Sequence, residues 1–343
     1  MACRGFFADR PVPNSIKFLA ISVVLILISG LSELDSDAAG PKKEYSPTCV
    51  RYSIPASVLE KPFPFAGELV PIQREDVRSR ITSQVNFLLL DARSVLTEWL
   101  TDKMRYSWIF EEIFSKEHIP KDFVLFAPVL AGLNRSSSRS GTIGWWGLEK
   151  PCDSSEGVEM SEDSWHDDRL DLELSTRCFA SRLRAIRKDL GDESWLMAAA
   201  AYVTSTKIIQ ELRERWNTRS YWDLPLPDNA EDLIVRWIAL GIINAHKEAF
   251  GLKLKNTPPL TFDQIAGVSL ARDLPIAEIS RIAGVPSREI MEINPKLKPA
   301  AGIFPALDKG KSRLHLIAVP KGKGWVVVNG LKEAGYLSSG AKP

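Results

Sequence analysis

Carboxylates are the reactive groups that cluster most densely in this sequence, and the densest cluster lies in residues 151–168. The segment carries Asp153, Glu156, Glu159, Glu162, Asp163, Asp167 and Asp168. Such an acidic run is typical of a solvated surface loop, and a loop that binds a partner or a cation is the alternative. The four histidines are His118, His166, His246 and His315. They lack metal-ligand spacing, and no CxxC, HExxH or glycine-rich phosphate loop occurs, so we expect neither a metal site nor a cofactor.

A pair of tryptophans, Trp145-Trp146, is the second feature with possible chemistry. It follows Gly144 in a segment, 134–147, that is rich in Ser, Gly and Arg. An aromatic ring can stack on the apolar face of a sugar, but adjacent tryptophans can equally belong to a hydrophobic core. Tyr202, on a predicted alanine-rich helix, has the same two interpretations. The residue types alone leave both open.

The composition excludes several classes of protein. The 343 residues are 45% hydrophobic and 25% charged, which is ordinary for a globular chain. Lys and Arg number 44 against 43 for Asp and Glu, a net charge of +1. A balance of charge as even as this argues against a protein that coats nucleic acid.

Hydrophobic periodicity predicts a mainly α fold. Apolar residues recur at helical spacing over 75–116, 123–133, 170–190, 195–216 and 228–250. Strand signals are scarce before residue 262. After a polar linker at 253–261, two short apolar runs (268–270 and 314–319) flank two short helical patterns. The region 262–320 is therefore predicted to be a small β-α-α-β module, and 321–343 a tail.

The N-terminus has the features of a targeting segment. Residues 18–29 (FLAISVVLILIS) form an apolar run that follows Lys17. This run predicts a signal peptide over 1–39, cleaved after Ala38, and an uncleaved membrane anchor is the alternative. Six prolines over 40–75 indicate an extended arm. Export to an oxidising compartment favours a disulfide, for which Cys152 and Cys178 are the candidates, with Cys49 left over.

Five stretches in order resemble a known family. They are 119–122 (IPKD) leading into 132–134 (GLN), 140–146 (SGTIGWW), 167–171 (DDRLD) followed by 175–176 (ST), 195–202 (WLMAAAAY) and 222–227 (WDLPLP). Together they resemble the lytic murein transglycosylases of the membrane-bound D type. The resemblance implies a lysozyme-like helical domain over 76–252 that acts on peptidoglycan. The region 262–320, with 282–285 (IAGV) and 293–295 (INP), looks like a LysM glycan-binding module.

The resemblance also implies that the catalytic position is degenerate. The family uses a single Glu that protonates the bridging oxygen and then removes the 6-hydroxyl proton of the muramyl sugar. The equivalent position is Leu130, or Ala131 with a shift of one residue, and 127–140 contain no Asp or Glu. No catalytic residue is therefore assigned. The positions that the resemblance places in the glycan groove are Gly144, Trp145, Trp146, Gly147, Tyr202 and Val203.

Three functions are consistent with these patterns. The leading one is an exported, non-catalytic homologue in the periplasm or at the periplasmic face of the inner membrane. Its expected partners are peptidoglycan glycan strands and a cell-envelope protein, with no nucleic acid. The second is an active murein transglycosylase with a displaced acid, Glu149 or Asp122. The third is an interaction scaffold whose groove binds no glycan.

Overall fold

The computed structural model describes residues 51–132, 141–191, 194–306 and 314–337. Of these residues 54% are helical and 11% extended, which confirms the mainly α class and is consistent with a lysozyme-like helical domain. The predictions for 1–39, for Cys49 and for 134–140 lie outside the described residues. Within the described ranges, no helix combines the length and the apolar character needed to span a bilayer.

The helices and strands have the following bounds. The helices are α1 (Ala56–Leu59), α2 (Glu75–Asn86), α3 (Arg93–Lys116), α4 (Phe126–Ala131), α5 (Leu172–Asp189), α6 (Trp195–Val203), α7 (Thr206–Trp216), α8 (Asp228–Ala245), α9 (Ile276–Ala283), α10 (Ser287–Ile293) and α11 (Gly324–Glu333). The strands are β1 (Phe63–Phe65), β2 (Glu68–Val70), β3 (Phe262–Val268), β4 (Leu274–Pro275), β5 (Ile303–Phe304) and β6 (His315–Pro320).

One hydrophobic core, which extends in sequence from Ile54 to Leu252, unites α1 to α8, and we call this part the helical body. The alanine-rich helix α6 is buried along most of its length, because small side chains let neighbouring helices approach it closely. Hydrogen bonds from side chains fix where the helices begin. The Asp171 carboxylate accepts from the first backbone N–H groups of α5, and the hydroxyls of Ser194 and Ser205 do the same for α6 and α7.

The prediction of an extended arm over 40–75 is wrong for residues 51–75, the part that the structure describes. β1 and β2 form an antiparallel hairpin, and its turn residues Ala66 and Gly67 both have positive φ, 51° and 74°. Phe65 and Val70 are buried in the core, and the Phe65 ring lies edge-on to Trp237 with 4.8 Å between ring centroids. The segment folds back because alternate residues are large and apolar, so one face of the hairpin can be buried.

The second part of the chain has its own core, and we call it the C-terminal module. β3 pairs antiparallel with β6, and α9 and α10 lie between them in sequence. Ile265, Ile279, Ile290 and Ile317 are buried together.

The predicted tail at 321–343 is wrong for residues 324–333, which form α11. Val327, Val328 and Leu331 recur at helical spacing and complete the core of the C-terminal module. Gly330 lies so close to α9 that an added Cβ would be 2.6 Å from Ile282 Cγ2. Val327, Val328 and Leu331 therefore form the buried face of a packed helix, while Trp325 and Val326 remain exposed.

The end of the acidic segment 151–168 contacts the C-terminal module, so a fully solvated loop is wrong there. The backbone N–H of Asp167 donates to the Lys296 carbonyl at 2.8 Å, and the Lys298 N–H donates to the Trp165 carbonyl at 2.8 Å. Lys298 Nζ also lies 3.2 Å from a Glu162 carboxylate oxygen. The segment joins the helical body to the module by backbone and charged contacts.

Candidate functional site

The tryptophan pair belongs to the core, so its assignment to a sugar-stacking groove is wrong. Trp146 is 0% exposed; its ring is stacked on Phe179 at 4.1 Å between centroids, and its indole N–H donates to Thr176 Oγ1 at 2.9 Å. Trp145 is 4% exposed and lies 5.0 Å from the Tyr106 ring. A buried indole N–H needs a partner of this kind. Neither ring presents a face to a ligand.

Gly144 is required by close packing rather than by a ligand. Its φ is +80°, and an added Cβ would lie 2.2 Å from the carbonyl oxygen of Arg169. Ile143 and Leu148 exchange backbone hydrogen bonds of 3.0 and 2.9 Å, which closes a tight turn around this position. Gly147, in the same turn, also has positive φ (58°) but meets only the side chain of Thr142, at 3.9 Å. The turn therefore needs Gly144 for its approach to residue 169.

Arg169 holds this turn in place. Its Nη1 donates to the Glu149 carbonyl at 2.8 Å, while Nε and Nη2 donate to the Asp167 carboxylate at 2.9 and 2.7 Å. Nη2 also donates to Glu162 at 2.8 Å. Hydrogen bonding to Asp167 raises the pKa of the Arg169 guanidinium, so this nearly buried group stays charged.

A cavity of about 590 Å³ opens beside this turn, and we call it the α6 cavity. Its lining consists of Gly147, Glu149, Ser155, Glu156, Ser181, Arg182, Ala185, Ile186, Asp189, Ala201, Tyr202, Thr204, Ser205 and Thr206. The predicted groove residues that it brings together are Gly147 and Tyr202. Leu130 and Val203 are absent from this lining, and both are half-buried against the core of the helical body.

Tyr202 packs against the core and also lines the α6 cavity. Its hydroxyl donates to the Trp146 carbonyl at 2.7 Å, and its ring lies edge-on to Phe179 at 4.9 Å. Burial raises the pKa of the phenol. Tyr202 is therefore a neutral packing residue that also forms part of the cavity wall.

A charged pair in the α6 cavity was not foreseen. Arg182 Nε donates to Glu156 Oε1 at 2.6 Å, and Nη2 donates to Oε2 at 3.2 Å. This hydrogen bonding lowers the pKa of Glu156 despite partial burial, and it raises the pKa of Arg182. An ionised, paired carboxylate is a poor proton donor, so Glu156 can position a polar ligand but is badly placed as a general acid.

A disulfide between Cys152 and Cys178 explains how the pair meets. The Cα atoms are 5.8 Å apart, within the usual range of about 4.4–6.8 Å. Glu156 and Arg182 each follow their cysteine by four residues. The cysteine spacing was thus a usable signal for the charged pair.

The two carboxylates that were considered as displaced catalytic acids, Glu149 and Asp122, lie in different environments. Glu149 is exposed at the border of the α6 cavity. Asp122 Oδ2 accepts from the backbone N–H of Ala66 at 3.1 Å, and its carbonyl accepts from Trp237 Nε1 at 3.0 Å. Asp122 therefore holds the β1–β2 hairpin on the helical body and does not line the cavity. At the end of α4, Leu130 and Ala131 provide no proton-transfer group.

The mainly helical body and the similarity of its sequence to known proteins support a relationship to the lytic transglycosylases. Two curated relatives are similar to this chain, the "Membrane-bound lytic murein transglycosylase D" of Escherichia coli strain K12 and that of E. coli O6:H1. Each is 23% identical over 219 residues, which cover 62% of this chain and 46% of the relative. The chain thus spans about half the length of the curated relatives it matches. No family model matches the chain.

Proposed function

We propose that this protein is a peptidoglycan-associated relative of the lytic transglycosylases that binds glycan strands without cleaving them. The observation that carries the proposal is the residue at the end of α4. The resemblance places the catalytic Glu at this point, and here the chain has Leu130 followed by Ala131. A hydrocarbon side chain cannot protonate a glycosidic oxygen or accept the 6-hydroxyl proton.

The carboxylates around the α6 cavity support the same conclusion. Glu149, Glu156 and Asp189 are the acidic residues of its lining. A single-acid mechanism needs a carboxyl group in apolar surroundings that favour the protonated form. Glu156 is paired with Arg182, and both Glu149 and Asp189 are exposed to solvent. None of the three has the required surroundings.

The alternative is an active lytic murein transglycosylase that cleaves the MurNAc-GlcNAc bond with Glu149 as the acid. One observation favours it, because Glu149 borders the same cavity as Tyr202. The variant Glu149→Gln separates the two functions. It should abolish glycan cleavage if Glu149 is the acid, and it should change nothing if the protein is non-catalytic.

The proposal includes an exported location and a domain division. We assign 1–39 to a signal peptide or anchor, 76–252 to the lytic transglycosylase-like domain and 253–261 to the linker. Residues 262–320 form the LysM-like module, which α11 extends. The periplasm, or the periplasmic face of the inner membrane, would be the location, with a cell-envelope protein as a further partner. The apolar run at 18–29 and the disulfide support export.

Sedimentation with purified peptidoglycan sacculi tests the binding part. The full chain should co-sediment with sacculi and remain in the supernatant without them. A chain that stays soluble at saturating sacculi would contradict the proposal and favour an interaction scaffold that binds no glycan.

A further inference from the structure

A second and separate cleft lies between the helical body and the C-terminal module. Its volume is about 540 Å³, within the range of about 300–1,000 Å³ that is common for small-molecule sites. From the helical body it is lined by α3 and the start of α5. From the module it is lined by β3, β6, residues 293–296 and the start of α11. It shares no lining residue with the α6 cavity.

Two exposed tryptophans, one from each part of the protein, line this cleft. Trp108 on α3 is 37% exposed, and its position is fixed because its indole N–H donates to the Leu260 carbonyl at 2.9 Å. Its ring also lies 5.9 Å from that of Phe262. Trp325, in the first turn of α11, is 63% exposed. An exposed indole in a concave polar site offers a flat apolar surface to a ligand.

The charged groups of the cleft neutralise one another. The pairs, with nitrogen–oxygen distances, are Arg177–Glu173 at 2.7 Å, Lys296–Asp171 at 3.2 Å, Lys321–Asp263 at 3.0 Å and Glu112–Lys116 at 2.7 Å. An ionic ligand would have to break these pairs to find a counter-charge. A neutral ligand with many hydroxyl groups can bond to them as they stand, and the exposed Gln264 amide adds a donor and an acceptor.

We propose that this cleft binds a short neutral saccharide of N-acetylated amino sugars, with Trp108 and Trp325 stacking on its rings. Flat apolar walls combined with internally paired polar groups match the two faces of a pyranose. The choice of amino sugar rests on the proposed function. The site itself is additional to it, because it lies outside the α6 cavity and is built jointly by the helical body and the module.

Isothermal titration of the full chain with tetra-N-acetylchitotetraose tests this site directly. Trp325→Ala and Trp108→Ala should each raise the Kd about 2- to 12-fold, since an aromatic contact contributes about 0.5–1.5 kcal/mol. Trp216→Ala is the matched control, because Trp216 is similarly exposed (56%) but lies on α7, outside the cleft. Trp325 is the main variant, because its exposed side chain can be removed without opening the core.

Two results would overturn the site: the absence of saturable binding of the tetramer, and an equal Kd in all four proteins. Sacculi distinguish this failure from failure of the proposed function. If Trp325→Ala co-sediments like the wild type and the tetramer does not bind, only the cleft is refuted. If the wild type does not co-sediment with sacculi but binds the tetramer through both tryptophans, only the proposed function is refuted.

Discussion

The substitution Gly144→Ala tests whether this glycine serves the fold rather than a ligand. The left-handed backbone of Gly144 costs an alanine about 1–2 kcal/mol. The new Cβ would also lie 2.2 Å from the Arg169 carbonyl oxygen, which is backbone and cannot rotate away. Overpacking of this kind costs about 1–3 kcal/mol more. We therefore expect the free energy of unfolding to fall by about 2–5 kcal/mol.

Gly157→Ala is a matched control for this experiment. Gly157 has nearly the same φ, +76°, but an added Cβ would have nothing within 4 Å. Its loss should be limited to the backbone cost of about 1–2 kcal/mol. Urea unfolding of the wild type and both variants, followed by far-UV circular dichroism, measures the difference. If Gly144→Ala is no less stable than Gly157→Ala, the close approach to residue 169 is not a constraint, and a ligand-related role for Gly144 regains support.

Two further predictions concern the segment that borders the α6 cavity. Replacing both Cys152 and Cys178 by Ala should lower the free energy of unfolding by about 3.5 kcal/mol, the chain-entropy value for their separation of 26 residues; a loss below about 1 kcal/mol in urea unfolding would contradict this. The pKa of Glu156 is lowered by its hydrogen bonds to Arg182, so the pair stabilises the fold fully above the ordinary Glu value of 4.5 and less as the pH falls below it. The difference in Tm between wild type and Glu156→Gln should accordingly shrink below pH 4.5, and a pH-independent difference would refute the pairing.

The helices were predictable because their apolar residues recur at the helical period over long stretches. The environment of a given aromatic residue was not. Trp146 is buried because Thr176 and Phe179, three residues apart on α5, supply a hydrogen-bond acceptor and a stacking ring. That partnership spans about thirty residues of chain, and a local pattern does not contain it. The local sequence therefore does not distinguish a tryptophan that lines a groove from a tryptophan that belongs to the core.

The predictions for the two segments that were interpreted as irregular were wrong for different physical reasons. In the hairpin of β1 and β2, the prolines dominated the interpretation, although proline is compatible with a strand that has a free edge. In α11, Gly and Lys residues around a short apolar patch (325–328) led to the interpretation of 321–343 as a tail, and three of the four patch residues are valines, which favour strands. Burial against the C-terminal module overrode that preference. In both cases a tertiary contact decided the structure.

The candidate site could be foreseen only in part. The resemblance pointed to the turn at 144–147 and to Tyr202, and both lie at or beside the α6 cavity. It did not point to Glu156 and Arg182, because no local spacing joins residues 26 apart. The disulfide brings them together. Because each of them follows its cysteine by four residues, the pairing of the cysteines would have predicted that they lie opposite each other. The sequence did not predict the cleft between the helical body and the C-terminal module, since this cleft exists only where the module meets α3.

The release of anhydro-muropeptides from sacculi tests the central claim most directly. The wild-type full chain, Leu130→Glu and Glu149→Gln would be compared at equal concentration. We predict no release by any of them. Leu130→Glu should fail because the resemblance implies that Gly147, Val203 and Leu233 stand where the family has a Gln, an Asn and a Tyr, and the groups of one site act as a unit. Release by the wild type that disappears in Glu149→Gln would contradict the claim and identify Glu149 as the catalytic acid.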